Sequence, residues 1–248
     1  MAKHQIGILG YGRFGRIMMR LLASDHEVFF YDVNDNLHQE QSFKPLQDLL
    51  KLPVLILAVP INQMETVLKQ ISAHLSTQTV IDVCSVKIYP TQLMLNYLPE
   101  KVNVIATHPM FGPDSYGSQG QKNMMMYPAR VSKAIFQQWH DYFLAKDLNV
   151  CIMSPEQHDR ESAFSQSLTH FLGRVLNEIN LQDTDISTEG YRSLLKIVEQ
   201  TCNDSWELFQ DILQYNPYGE TMIEQLNAAT DNVVHKLKSS NQRGDDGK

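Results

Sequence analysis

His108 is the residue best placed for proton chemistry in this chain. It stands in the run Thr107-His108-Pro109-Met110-Phe111-Gly112-Pro113. Proline fixes its own φ and drives the preceding residue into extended geometry, so Pro109 should hold His108 in one backbone shape. We therefore expect a rigid loop that carries a positioned imidazole. Imidazole changes charge near neutral pH, which suits it to take or polarise the proton of a hydroxyl group. A second polar group, Ser85, follows the apolar run Thr79-Val80-Ile81-Asp82-Val83, and Lys87 lies two residues further on. Taken singly, Ser85 suits a helix N-cap, Lys87 a surface charge and His108 a loop residue bonded to backbone. Taken together, at the ends of two buried strands, His108 and Ser85 form a candidate catalytic pair, and Lys87 would shape the potential of their pocket.

The elements that must carry these residues are legible as alternating strands and helices. Short apolar runs at Ile6–Leu9, Val28–Tyr31, Val54–Val59, Thr79–Val83, Val102–Thr107 and Val150–Met153 alternate with amphipathic stretches. Near-continuous Val/Ile/Leu runs mark strands covered on both faces by helices. The expected fold is α/β: an N-terminal Rossmann-type, doubly wound parallel sheet followed by an all-helical C-terminal domain. The first strand leads into Gly10-Tyr11-Gly12-Arg13-Phe14-Gly15, and a helical stretch follows at once. In that setting the glycines allow a tight turn, close approach of backbone to a pyrophosphate, and tight helix-to-strand packing. Asp32 ends the second strand about 20 residues on, where a carboxylate can accept from ribose hydroxyls. It would repel a 2′-phosphate, which favours NAD over NADP; the alternative is that Asp32 merely caps a turn with Asn34 and Asp35. Val59 and Pro60 end the third run at the same edge and are further candidate cofactor contacts.

Composition excludes several classes. A net charge of -7 argues against a nucleic-acid binder. No apolar run approaches the roughly 18 residues of a membrane span, and the first residues lack a secretory pattern. Cys84, Cys151 and Cys202 are three, widely spaced, with no C-x-x-C pair, which suits buried thiols in a reducing compartment, the cytoplasm by default, although a processed organellar enzyme would look the same. The scattered His4, His26, His38, His74 and His140 lack metal-ligand spacing, so no metal is expected. At 248 residues two modest domains are expected: a nucleotide-binding domain over 1–153, a helical substrate-binding and dimerisation domain over 154–238, and a disordered tail over 239–248. Within the second, Phe164, Leu168, Phe171, Leu172 and Val175 share a helical stripe. A second helix would run from Tyr191 through Ile212, and a third from Ile223 to Leu237 after the break at Asn216-Pro217-Tyr218-Gly219. Faces this apolar on so small a domain suggest a homodimer through the C-terminal helices.

VIDVCSVK followed by THPMFGP, on a GxGxxG domain, resembles the prephenate and arogenate dehydrogenases of tyrosine biosynthesis. The likeness runs from about residue 5 to residue 237 and takes in Glu156-Gln157-His158-Asp159, Gln166-Ser167-Leu168-Thr169-His170 and GYRSLLKIVEQTCNDSWELF. It implies an NAD(P)-dependent oxidative decarboxylation: hydride passes from the hydroxyl-bearing ring carbon to nicotinamide while His108, assisted by Ser85, takes or polarises the hydroxyl proton. The product would be 4-hydroxyphenylpyruvate from prephenate or tyrosine from arogenate. By the same resemblance His170 and Arg192 are candidate carboxylate anchors, and Asp159 would pair with the amino group of arogenate. Asp159 could instead orient His158 or cap a helix. Asp159, Ala163, Gln166 and His170 fall on one helical stripe, so Gln166 joins the substrate-binding set. Plant members tend to use NADP, whereas Asp32 points to NAD. The rival readings are a β-hydroxyacid-type dehydrogenase of related architecture and a non-catalytic NAD-binding regulator.

Overall fold

The computed structural model describes residues 3–117 and 120–242. It divides into two compact units, Met1–Asp159 and Arg160–Lys248. The first unit runs β1 Gln5–Leu9, α1 Arg13–Leu22, β2 Glu27–Tyr31, α2 Leu46–Leu49, β3 Val54–Leu57, α3 Met64–Ile71 and β4 Thr79–Asp82. It continues with α4 Ile88–Tyr97, β5 Asn103–Pro109, β6 Lys122–Arg130, α5 Lys133–Leu144 and β7 Leu148–Ile152, and ends within α6 Pro155–Ser162. One seven-stranded sheet has the order β2-β1-β3-β4-β5-β6-β7. β1 to β5 are parallel, whereas β6 runs antiparallel to β5 and β7 pairs parallel with β6. The central strands hold the core: Ile6, Ile8, Leu55, Ile56, Val80, Ile81, Val104 and Ile105 are all buried. Runs this apolar are stable only when both faces are covered, which explains the parallel α/β build.

Two expectations about this sheet change. The sheet is mixed, because β6 Lys122–Arg130, a strand not among the apolar runs read from the sequence, runs antiparallel to β5. Its centre is Met124-Met125-Met126, unbranched residues without the β-branched signature of the other strands, and Pro128 lies inside it. That strand also changes the setting of His108. Instead of sitting in a loop, His108 belongs to β5 and lies opposite Met125, with Pro109 opposite Met124. The strand stays paired to its end, where Met110 N–H donates to the Asn123 carbonyl at 2.9 Å.

The second unit is helical. The chain winds more loosely over Ala163–Ser167, a π-type segment, and then forms α7 Leu168–Glu178, α8 Glu189–Cys202, α9 Trp206–Gln214 and α10 Gly219–Gln242. The long helix expected from Tyr191 to Ile212 is two helices, because Ser205 caps α9 by accepting from Leu208 N–H at 3.1 Å. α7 and α8 meet closely at Gly173, where an added Cβ would lie 2.0 Å from Thr201 Oγ1. The tail expected to be disordered from residue 239 remains helical through Gln242. Ser239 and Ser240 donate back to the His235 and Lys236 carbonyls at 2.9 Å, satisfying their hydroxyls within the helix. Residues 243–248 of that tail lie outside the described residues. Among the described residues no helix is long and apolar enough to cross a membrane.

Candidate active site

In the order β2-β1-β3-β4-β5, crossovers leave β1 and β3 in opposite directions, and the crevice at their carboxyl ends is where such sheets bind ligands. Gly10 turns there with φ 93°, and its amide donates to the Tyr31 carbonyl at 2.9 Å. A Cβ at Gly10 would fall 2.4 Å from the Ala58 carbonyl oxygen, and one at Gly15 would fall 2.1 Å from the Gly10 oxygen. These two glycines therefore serve the fold itself. Gly12 differs, since a Cβ there would meet nothing within 4 Å. Gly12 occupies the N-cap position of α1, and no side chain caps that end. Open space in front of uncapped helical N–H groups is what an incoming phosphate requires, so the residues present fit a dinucleotide.

Asp32 supports this loop from β2. Its Oδ2 accepts from Tyr11 N–H at 2.6 Å and its Oδ1 from Asn34 N–H at 2.9 Å. The turn-capping role and a ribose role are compatible, because each carboxylate oxygen accepts more than one hydrogen bond. Tyr11 stacks on Phe30 with ring centroids 3.7 Å apart, and the Arg16 guanidinium covers the Tyr11 ring at 4.4 Å. Val59 lies beside Gly10, with its Cγ1 3.2 Å from where a Gly10 Cβ would stand, and exposed Pro60 precedes a short helical turn. Arg13 reaches the other loop, donating to both carboxylate oxygens of Asp114 at 2.8 Å. Phe14 and Phe111 lie 6.2 Å apart, ring to ring. The glycine turn and the segment after His108 are thus in direct contact.

Behind His108 lies a buried polar cluster that sequence reasoning saw only in part. His108 is 2% exposed, and its Nδ1 lies 2.8 Å from His158 Nε2. His158 Nδ1 in turn lies 2.8 Å from Asp159 Oδ1. Ser154 starts α6 by accepting from Gln157 N–H at 3.1 Å, and this turn delivers His158 and Asp159 to the sheet edge. Asp159 accepts from the Lys87 and Ile88 amides at 2.7 and 2.8 Å, so it caps α4, a helix to which it does not belong. Lys87 is wholly buried, and its ammonium donates to Asp82 Oδ2 and to the Thr107 carbonyl. Thr107 N–H and Cys84 N–H also donate to Asp82, at 3.2 and 3.1 Å.

These contacts correct the expectation for Lys87 and favour one of the two readings of Asp159. Lys87 is committed to a buried ion pair and does not present its charge to a substrate. Asp159 is wholly buried, accepts from the α4 amides and lies against His158, which fits the alternative of orienting His158 and capping a helix and not the contact with a substrate amino group. Two isolated signals pointed this way. Asp82 is a carboxylate inside an otherwise apolar strand, which demands a buried cation, and Lys87 follows it closely. Ser85 is half-buried between β4 and α4; Lys87 holds the cap position of α4, so Ser85 is not its N-cap. The partner of His108 Nδ1 is His158 and not Ser85, and His108 Nε2 has no protein partner among the described residues. Burial, His158 and the Lys87 charge hold the His108 imidazole well below its ordinary pKa, so it is neutral near pH 7.

The remaining expected residues lie in the second unit. Gln166 and His170 stand one turn apart in the π-type segment and α7. Gln166 Oε1 and His170 Nδ1 are buried without a partner. Burial also lowers the His170 pKa. Interrupted helices with unpaired polar atoms often mark ligand sites. Arg192 is half-exposed, with its Nε 3.7 Å from Asp183.

A family model described as the prephenate dehydrogenase nucleotide-binding domain matches residues 22–130, and a TYRAAT1-like C-terminal domain model matches residues 175–247. Arogenate dehydrogenase 2 of Arabidopsis thaliana is 32% identical over 94% of this chain and 70% of its own length. The chain belongs to the prephenate/arogenate dehydrogenase family. Arogenate dehydrogenase 1 of the same plant is 33% identical over 94% of this chain, which spans 39% of that longer protein. Among solved structures, prephenate dehydrogenase from A. aeolicus, crystallised with hydroxyphenyl propionate and NAD+, superposes with a TM-score of 0.76. It covers 98% of this chain and 93% of its own at 17% identity, which shows a shared fold.

Proposed function

We propose that this member of the family is an NAD(P)-dependent dehydrogenase that oxidatively decarboxylates a cyclohexadienyl acid, with arogenate as the first choice and prephenate as the second. The observation that carries the reading is the pairing of an uncapped glycine turn with a neutral, strand-held His108 on the adjoining segment, joined through Arg13 and Asp114. The dinucleotide, when bound, supplies the hydride acceptor. Gly10, Tyr11, Gly12, Arg13, Phe14 and Gly15 would hold its pyrophosphate, Asp32 its ribose, and Val59 and Pro60 would flank it. His108 Nε2 would take the hydroxyl proton, and half-buried Ser85 would hydrogen-bond the same hydroxyl. Gln166 and His170 would meet the substrate through their unpaired buried atoms, with Arg192 as a further carboxylate anchor once released from Asp183.

Residues 1–153 would then bind the nucleotide, and 154–238 would bind substrate and dimerise. The preference for arogenate rests on the likeness to the Arabidopsis enzymes, since Asp159 no longer supports it. NAD is favoured over NADP because Asp32 would face a 2′-phosphate with like charge. Cys84, Cys151 and Cys202 form no disulfide, which suits a reducing cytoplasm. Apolar side chains at Leu172, Val175, Val233, Val234 and Leu237 are exposed in the single chain, and a second copy would cover them. Purified protein given arogenate or prephenate, each with NAD or NADP, tests the reading by nicotinamide absorbance. Arogenate with NAD should be fastest; absence of reduction in all four mixtures would refute it.

A further inference from the structure

The proposed reaction asks His108 to accept a proton where its cation is penalised. Its ring is buried, Lys87 lies close behind it, and β6 offers only Met125 opposite. The charged and titratable groups facing it are Lys87 and Asp82 from β4 and its loop, and His158 and Asp159 from α6.

Hydrogen-bond logic fixes where the protons sit. As a carboxylate, Asp159 only accepts, and its two oxygens take the α4 amides of Lys87 and Ile88. The proton between Asp159 and His158 therefore sits on His158 Nδ1. Neutral imidazole has one N–H, so His158 Nε2 is an acceptor. The 2.8 Å contact between the two rings then needs its proton on His108 Nδ1, which leaves the His108 Nε2 lone pair bare.

We propose that Asp159 and His158 are positioning residues that set this tautomer and hold the substrate's proton between the two halves of the reaction. The inference rests on the functional reading above. In the first half the substrate O–H bond breaks and its proton goes to His108 Nε2. The freed electron pair forms the carbonyl as hydride leaves for oxidised nicotinamide. The proton on His108 Nδ1 passes to His158 Nε2, so positive charge rests on His158, against the Asp159 carboxylate. In the second half the carbon–carboxylate bond breaks, its electron pair aromatises the ring, and the former carbonyl oxygen takes a proton back from His108 Nε2. His158 returns its proton to His108 Nδ1. Carbon dioxide and reduced nicotinamide leave, and no net proton is taken up or released for a substrate carboxylate. A proton needed again one step later is thus kept inside the protein.

The test uses the whole chain. Nitrogen-15 spectra of its histidine rings without substrate should show His158 and His108 both protonated at Nδ1. Asp159→Asn, nearly the same size, can keep its Oδ1 accepting from Lys87 N–H and His158 Nδ1–H, so it should preserve both tautomers while removing the negative charge that holds a proton on His158. The same variant should lower kcat about 100-fold or more with KM and cofactor affinity nearly unchanged. The acid limb of its kcat profile should move to lower pH by about one unit or more. His158→Gln should lower kcat similarly while keeping the fold. A wild-type His108 protonated at Nε2, or an Asp159→Asn enzyme with unaltered kcat and pH profile, would overturn the proposal. A chain that shows these tautomers yet reduces no nicotinamide with either acid would instead overturn the functional reading, and the proton-holding role with it.

Discussion

At the scale of single residues, the neutrality of His108 and the commitment of Lys87 decide what the site can do. His108→Gln removes the base but fits the same space, so kcat should fall by about 10²–10⁴ while dinucleotide affinity, measured by titration, stays within error. Stability should carry the same signature. Because the folded pKa of His108 lies below its ordinary value of about 6.5, the unfolded chain binds a proton that the native state refuses. That part of the stability is complete above about pH 6.5 and is lost as pH falls toward the folded pKa. Urea midpoints should show this acid loss in the wild type and less of it in His108→Gln. Lys87→Met leaves Asp82 buried without its cation, and removing one member of such a pair costs about 3–5 kcal/mol. Chemical denaturation should register a loss of that size; an unchanged midpoint would show that the pair is dispensable. The importance of His108 was legible in its sequence setting. The role of Lys87 was not, and for Asp159 two readings stood side by side, because a charged residue in a one-dimensional pattern does not reveal whether its partner is a ligand or a buried backbone amide.

At the scale of elements, the glycine turn and α1 were readable because each glycine answers a local steric demand. Gly12→Ala separates the ligand from the fold. Its Cβ would point into open space and its φ of -69° is ordinary for any residue, so thermal stability should barely change. Dinucleotide affinity should drop about tenfold or more as backbone approach to the phosphates is blocked. Gly15→Ala, with its Cβ against the Gly10 oxygen, should lose stability and affinity together. Strand β6 was not readable, since its methionines carry no alternating or β-branched pattern and its pairing to β5 is a tertiary fact. That omission turned a strand-borne histidine into an expected loop histidine. The break between α8 and α9 was missed similarly, because Phe209 and Ile212 keep in phase with the helix before Ser205.

At the scale of the whole molecule, the division into an α/β unit and a helical unit was visible as a change from Val/Ile runs to long helical periods. The apolar stripe read as core along α7 is partly exposed, with Leu172 and Val175 at its surface. Covering that surface with a second copy predicts a dimer in sedimentation. Val234→Glu with Leu237→Glu should yield a folded monomer, and a wild-type monomer at micromolar concentration would remove the dimer from the account. The central claim concerns the reaction itself, and one measurement reaches it directly: simultaneous recording of carbon dioxide and reduced nicotinamide when the chain is given arogenate and NAD. The account predicts equal amounts of both, formed at a rate that falls at least about 100-fold in His108→Gln. Reduction without carbon dioxide, or an undiminished rate in the variant, would contradict it.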